Sequence, residues 1–274
     1  MKLTVGARES KWWTTSLWGY SLSFYAFLYM PILVLLVLSF NDSPAIGLPF
    51  RGFTLKWYSE AFAGDLFLQA IGNSMMVGVV SASIGTALAL LITLGMRHRF
   101  PFKRAVLALV LIPIVTPGIV SGILFLVFIG LSGIPYGLWT AVLPAHITWV
   151  LPFAFLTLYP QVQRFDHSLE EAAMDLGAGP SAVFRRVMFP IIRPALIATL
   201  LFSFTISFDE FIRTLFVTSS QRTVPVYLWV LVQEQVSPFL PAIGMMMVAI
   251  SMSVAGIGFF IVGRSNRRPV HANS

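Results

Sequence analysis

Asp209 and Glu210 stand side by side in the apolar run IATLLFSFTISFDEFIRTLFVTS, with no other charge between Arg193 and them. A carboxylate among apolar residues is costly to keep ionised, and in a membrane it marks a solute or ion path by default. The chemistry on offer is capture of a cationic group such as an ammonium. A second reading stands beside it: Arg213 follows Asp209 at (i, i+4) spacing with the acid first, which favours an internal ion pair. Neighbouring residues on a helix point about 100° apart, so the two acids do not both face one centre. Counted from Ile192 at about 1.5 Å per residue, the pair lies about 25 Å along a span, in the outer part of a core about 30 Å thick. Thr205 is a further polar residue of that span, and Asp209, Glu210, Arg213 and Thr205 form the candidate substrate path.

The second constellation is the stretch QVQRFDHSLEEAAMDLGAGPSAVFRRVMFPIIRP, residues 161–194. Ser168 fits an N-cap, and Glu171 three residues on completes a capping box. Asp166 precedes the cap, and Glu170 and Glu171 place negative charge in the first turn, where the helix dipole favours it. Gly177 supplies a stop, Gly179-Pro180 a turn, and Pro180 or Ser181 the start of a second helix with Arg185 and Arg186. Ala172 and Ala173 let another backbone come close. These residues predict a short, capped helix outside the bilayer that fits a groove on a soluble partner. The alternative is a helix resting on lipid headgroups, against which its acidic first turn argues.

The elements that must position these groups are membrane spans. Of the 274 residues, 57% are hydrophobic and 11% charged, where a soluble domain carries about 25% charged residues. An all-α polytopic protein with six transmembrane helices is predicted, at 19–40, 67–95, 105–130, 138–160, 192–216 and 241–263. Only Ser132-Gly133-Ile134-Pro135 divides the third from the fourth, and Pro113, Pro117-Gly118, Pro144 and Pro152 imply that both are bent. Fourteen of the 18 Lys and Arg residues fall on one side of this layout, which predicts both termini inside. The inside segments are then 1–18, 96–104, 161–191 and the tail 264–274; the outside segments are 41–66, 131–137 and 217–240. Trp12, Trp13, Trp18 and Tyr20 suit an interfacial belt. His146 reads as an interior hydrogen-bonding residue. Tyr227 and Trp229 suit the interface, or cation–π contact with an amine.

Several chemistries are excluded. There is no Cys, hence no disulfide or thiolate site. No GxxxxGK[ST] occurs, so the chain binds no nucleotide through a P-loop, and there is no HExxH, GxSxG or cluster with metal-ligand spacing. The basic residues scatter over separate loops and form no nucleic-acid stripe.

Glu171-Ala172-Ala173, Gly177 and Pro190 resemble the EAA loop of ATP-binding-cassette importer permeases, with Val187 and Phe189 where that pattern has Ile and Leu. YAFLYMPILVLLVLSFNDS, GFTLKWYSEAF and ISFDEFIRTLFVTS are similar to the spermidine/putrescine branch, in particular its second permease subunit. The resemblance implies a type I importer permease with a five-helix core, 67–263, after an N-terminal helix. It implies a heterodimer with a homologous permease, two cytoplasmic ATPases that bind ATP and Mg, a periplasmic binding protein, and no cofactor in this chain. It implies placement in the bacterial inner membrane. Ser168, Glu170, Glu171, Ala172, Ala173, Asp175, Gly177 and Pro190 are the coupling residues it implies, with Glu171 and Gly177 central. Paired acids at Asp209-Glu210 match the polyamine branch; Arg213 departs from it, leaving opines, amino acid derivatives and phosphonates as other solutes. An ion-coupled secondary transporter would need internal repeats, and none is found. A membrane-embedded enzyme would need a catalytic cluster.

Overall fold

A computed structural model describes residues 11–234 and 237–265. Lys2, Arg8, Arg267 and Arg268, four of the fourteen Lys and Arg residues counted on the inside, lie outside the described residues. The regular structure among the described residues is helical, with one isolated β-bridge between Asn41 and Phe53. The long apolar helices are α1 (Lys11–Ser39), α3 (Asp65–Gly95), α6 (Leu143–Gln163), α9 (Phe189–Phe208) and α12 (Leu240–Ser265). Short helices join them: α2 (Lys56–Ala63), α7 (Ser168–Asp175), α8 (Pro180–Val183), α10 (Ile212–Val217) and α11 (Val224–Glu234).

The expected span 105–130 is two helices, α4 (Lys103–Val115) and α5 (Gly118–Leu131), bent by 104° at the break. The cause is local: Thr116 is extended ahead of Pro117, which has no N–H to carry the helix on. Two other prolines widen the helix without breaking it. A π-helical turn, Leu138–Val142, precedes Pro144, and another, Phe184–Met188, precedes Pro190. Each ring displaces the carbonyl four residues back, so the register slips by one residue.

At the centre, α3 packs against α6 and α9, and α12 packs against α9. Burial in lipid supplies no drive between helices, so close backbone approach must supply contact. Gly85 of α3 shows how: a Cβ there would lie 2.8 Å from Val150 Cγ1 on α6. Ala82, Ala89, Ala145 and Ala154 line the same seams and are fully buried. By contrast α1, from Trp13 on, keeps most of its apolar side chains exposed and packs on α12. At one end, Ile129 of α5, Leu138 and Val217 of α10 form a separate apolar cluster with Phe125 and Phe216.

That same end carries a folded lobe, residues 40–58, organised by Asn41. Its Oδ1 accepts the Arg51 N–H at 2.8 Å, its Nδ2 donates to the Gly47 carbonyl at 2.9 Å, and its own carbonyl accepts Trp57 Nε1–H at 2.8 Å. Phe40 stacks on Phe53 with ring centroids 4.9 Å apart.

Candidate functional site: a capped surface helix and a broken span

Helix α7 lies at the opposite end, between α6 and α8. Its start differs from the capping box expected above. Ser168 is the first helical residue and His167 precedes it with helical φ and ψ. The Asp166 carboxylate accepts the Ser168 N–H at 2.9 Å, so the turn begins one step earlier and leaves the serine no capping role. These hydrogen bonds, from the Ser168 backbone first, hold the Asp166 carboxyl below its ordinary pKa.

The far end is closed by a Schellman motif. Gly177 has φ +84°, its N–H reaches Met174 O at 2.8 Å, and the Ala178 N–H reaches Ala173 O at 3.0 Å. Nothing lies within 4 Å of a Cβ built on Gly177. Glycine therefore serves conformation here, and its outer side stays open. Glu171, Ala172, Met174 and Asp175 are exposed, and Leu176 is 90% exposed. Pro190 sits in the first turn of α9, exposed as well.

Glu170 turns the other way. Its carboxylate is gripped at both oxygens by Arg97 from the turn after α3, at 2.7 and 2.8 Å. The two side chains are only 13% and 18% exposed. Arg97 also meets His167 Nδ1 at 2.8 Å and lies over the Phe165 ring. Arg97 hydrogen bonding pulls the Glu170 carboxyl below its ordinary pKa. Arg97 was legible in the sequence only as one more basic residue of an inside loop; its distance of 73 residues from Glu170 hid the pair.

The expected span 192–216 stops early. Helix α9 ends at Phe208, and α10 begins at Ile212. Asp209 and Glu210 therefore occupy a break, and the anticipated Asp209–Arg213 pair does not form. Instead the Glu210 carboxylate accepts the Arg213 N–H at 2.8 Å, capping α10, and binds Arg213 Nη1 at 3.0 Å. Both are buried, at 7% and 5% exposure. The guanidinium carbon sits 3.6 Å from the centroid of the Trp149 ring. This charge pair is spent inside the protein.

Asp209 is the open acid. It is exposed, and it accepts Ser251 Oγ of α12 at 3.0 Å. Thr205, one turn before it, bonds back to Leu201 O at 3.1 Å. Thr205 lines an apolar groove of about 440 Å³ with Thr157, Phe202 and Phe259.

A hydrogen-bonded chain ties the break to the core. Ser81 Oγ of α3 donates to Ser207 Oγ at 2.7 Å. Ser207 meets His146 Nδ1, and His146 Nε2 meets Thr214 Oγ1, both at 2.7 Å. Thr214 donates to Glu210 O at 3.0 Å, so its oxygen receives the His146 proton from Nε2, and Nδ1 accepts from Ser207. His146 is 1% exposed, the interior residue its sequence context implied. Ser207, Thr214, Trp149 and Ser251 carry no distinguishing pattern in the sequence; only the fold gathers them.

Comparison with known proteins places this arrangement. Residues 83–270 match the family model described as "Binding-protein-dependent transport system inner membrane component". The spermidine/putrescine transport system permease protein PotC of Escherichia coli K12 is 36% identical over 236 residues, 85% of this chain and 89% of that protein. Its Haemophilus influenzae counterpart is 32% identical, over 88% of this chain and 94% of that protein. The putrescine transport system permease protein PotI of E. coli K12 is 30% identical, over 90% of each chain. Among solved structures, a bacterial ABC transporter that imports alginate superposes with a TM-score of 0.72 at 15% identity, covering 92% of this chain and 96% of that one. The MetNI methionine ABC transporter gives 0.63 at 17%, covering 74% and 97%. With a family match over most of its length and these relatives at 30% identity and above, the chain belongs to the binding-protein-dependent transport system inner membrane components.

Proposed function

We propose that this chain is the permease of an ATP-driven importer for a polyamine of the spermidine/putrescine class. The observation that carries the substrate class is the open Asp209 carboxylate in the α9–α10 break, beside a groove that runs along α9 and α12. An ammonium group arriving there meets an unpaired acid, while Glu210 is neutralised by Arg213. The names of the relatives point to the same solutes. An anionic solute would need a free cation, and Arg213 is buried under Trp149.

Helix α7 supplies the coupling surface. Its exposed side carries Glu171, Ala172, Met174 and Asp175, followed by Leu176 and Gly177, and it enters a cleft of a cytoplasmic ATPase, on which ATP and Mg are bound and hydrolysed. The charge bias puts α7 and both termini inside and the Asn41 lobe outside, facing a soluble binding protein. A homologous permease completes the pathway. Movement of α7 then switches the cavity between outward and inward access.

The test is ATP hydrolysis by the importer reconstituted with its binding protein, across polyamines, amino acids and opine-like compounds. Stimulation by spermidine or putrescine, lost in Asp209→Asn, supports the reading. Stimulation only by an anionic or zwitterionic compound overturns the polyamine assignment and leaves the importer standing.

A further inference from the structure

Helix α7 has two covalent tethers, the turn from α6 and the turn into α8. The Arg97–Glu170 pair adds a third, non-covalent one. Arg97 lies two residues beyond the end of α3, so this contact is the direct side-chain tie between α7 and the helix at the centre of the bundle. The geometry is that of a latch. Arg97 uses both terminal nitrogens on one carboxylate, the form of ion pair with most directional specificity. It is flanked by Phe165, by His167 and by Met188 Sδ at 3.7 Å, and is largely shielded from water.

Arg97 Nε, in contrast, is buried with no partner. The contact therefore holds an unmet donor, and an arrangement in which Arg97 shifts can relieve it. From Arg97 the connection continues along α3 to Ser81 and across to Ser207, the residue that anchors His146 and the α9–α10 break.

We propose that the Arg97–Glu170 latch passes displacement of α7 to α3, which makes Arg97 a positioning residue for energy coupling. Glu170 thus serves coupling from inside the permease, while Glu171 faces the ATPase. The proposal rests on the reading of α7 as the ATPase-docking helix.

The experiment uses the complete importer in proteoliposomes, measuring bound ATPase subunit, ATP hydrolysed and polyamine taken up. Arg97→Gln should retain the ATPase and its basal hydrolysis, while uptake per ATP falls about fivefold or more, the scale of a typical coupling energy, and Glu170→Gln should show the same fall in uptake per ATP. The swapped pair Arg97→Glu with Glu170→Arg should recover most of it. Since the chain has no Cys, Arg97→Cys with Glu170→Cys can also be bridged by a short crosslinker, which should restore uptake per ATP relative to the unbridged protein. Normal uptake per ATP in both single variants overturns the latch. So does loss of the ATPase in Arg97→Gln, or failure of both the swap and the bridge to restore coupling. Glu171→Ala in the same assay separates the two readings: normal binding and uptake there would sink the docking role of α7 itself.

Discussion

Replacing Arg213 by Met removes the one opposite charge that, among the described residues, pairs with Glu210 in its buried site. The carboxylate keeps one hydrogen bond, from the residue 213 N–H, but loses the 3.0 Å contact to the guanidinium. Breaking a buried ion pair from one side costs about 3–5 kcal/mol, because the remaining charge is left uncompensated. Glu210→Gln should cost less, about 1.5–3 kcal/mol, since its amide oxygen can still accept the Arg213 N–H and the cation keeps the Trp149 ring. The double variant Glu210→Gln/Arg213→Met carries neither charge. Its cost should be about 2 kcal/mol, far below the sum of the singles, giving a coupling of at least about 2 kcal/mol. Unfolding of the purified permease complex in detergent, by heat and by denaturant, reads the four corners of this cycle. Additivity within about 0.5 kcal/mol would refute the pairing, and so would a Glu210→Gln variant less stable than Arg213→Met. Uptake gives the second readout: the double variant should still transport, because the pair is structural. A stable double variant without uptake would move Glu210 and Arg213 into the solute path.

Three other outcomes follow from the geometry. Gly177→Ala should destabilise the α7 terminus by about 1–2 kcal/mol through its left-handed φ alone, with Gly177→Asn milder; hydrogen exchange at residues 176–178 would show this. Gly85→Ala should cost about 1–3 kcal/mol by overpacking against Val150 and be relieved by Val150→Ala, read as detergent stability. Glu170 has a lowered carboxyl pKa, so its ionised form is favoured in the fold. The stability it contributes is complete above the ordinary carboxylate value of 4.5 and is lost as pH falls through the lower folded value. Exchange protection of α7 should thus be flat from about pH 5 to 8 and fall below about 4.5, and Glu170→Gln should leave only the smaller step that protonation of Asp166 contributes.

Much of this architecture was legible because lipid imposes simple rules. Long apolar runs became helices, and the punctuation around Gly177 and Pro180 marked real helix ends. Apart from the proline break between α4 and α5, the departures share one cause: local polar groups override periodicity. Asp166 started α7 before Ser168 could cap it, and Glu210 capped α10 so that an apparently continuous span broke beneath Asp209. Composition placed two acids in the membrane, yet it could not say which one was spoken for. That depended on Trp149 and Arg213 meeting across separate helices, a contact with no periodic trace. Arg97 escaped notice for the same reason, since topogenic charge and latch residue look alike in one dimension.

The 104° elbow between α4 and α5 has a consequence for the bilayer itself. Thirteen and 14 residues make rods about 20 Å long. Joined at that angle they reach only about 25 Å from end to end, short of a hydrocarbon core about 30 Å thick. Where lipid covers the exposed Ile119, Leu124 and Phe128, it would have to thin to match, at a small cost per ångström. A thicker membrane raises that cost and favours a straighter elbow, so acyl-chain length becomes a handle on the balance of conformations. Turnover measured in vesicles of graded chain length should shift accordingly, and a flat response would show that neighbouring protein, and no lipid, covers α5.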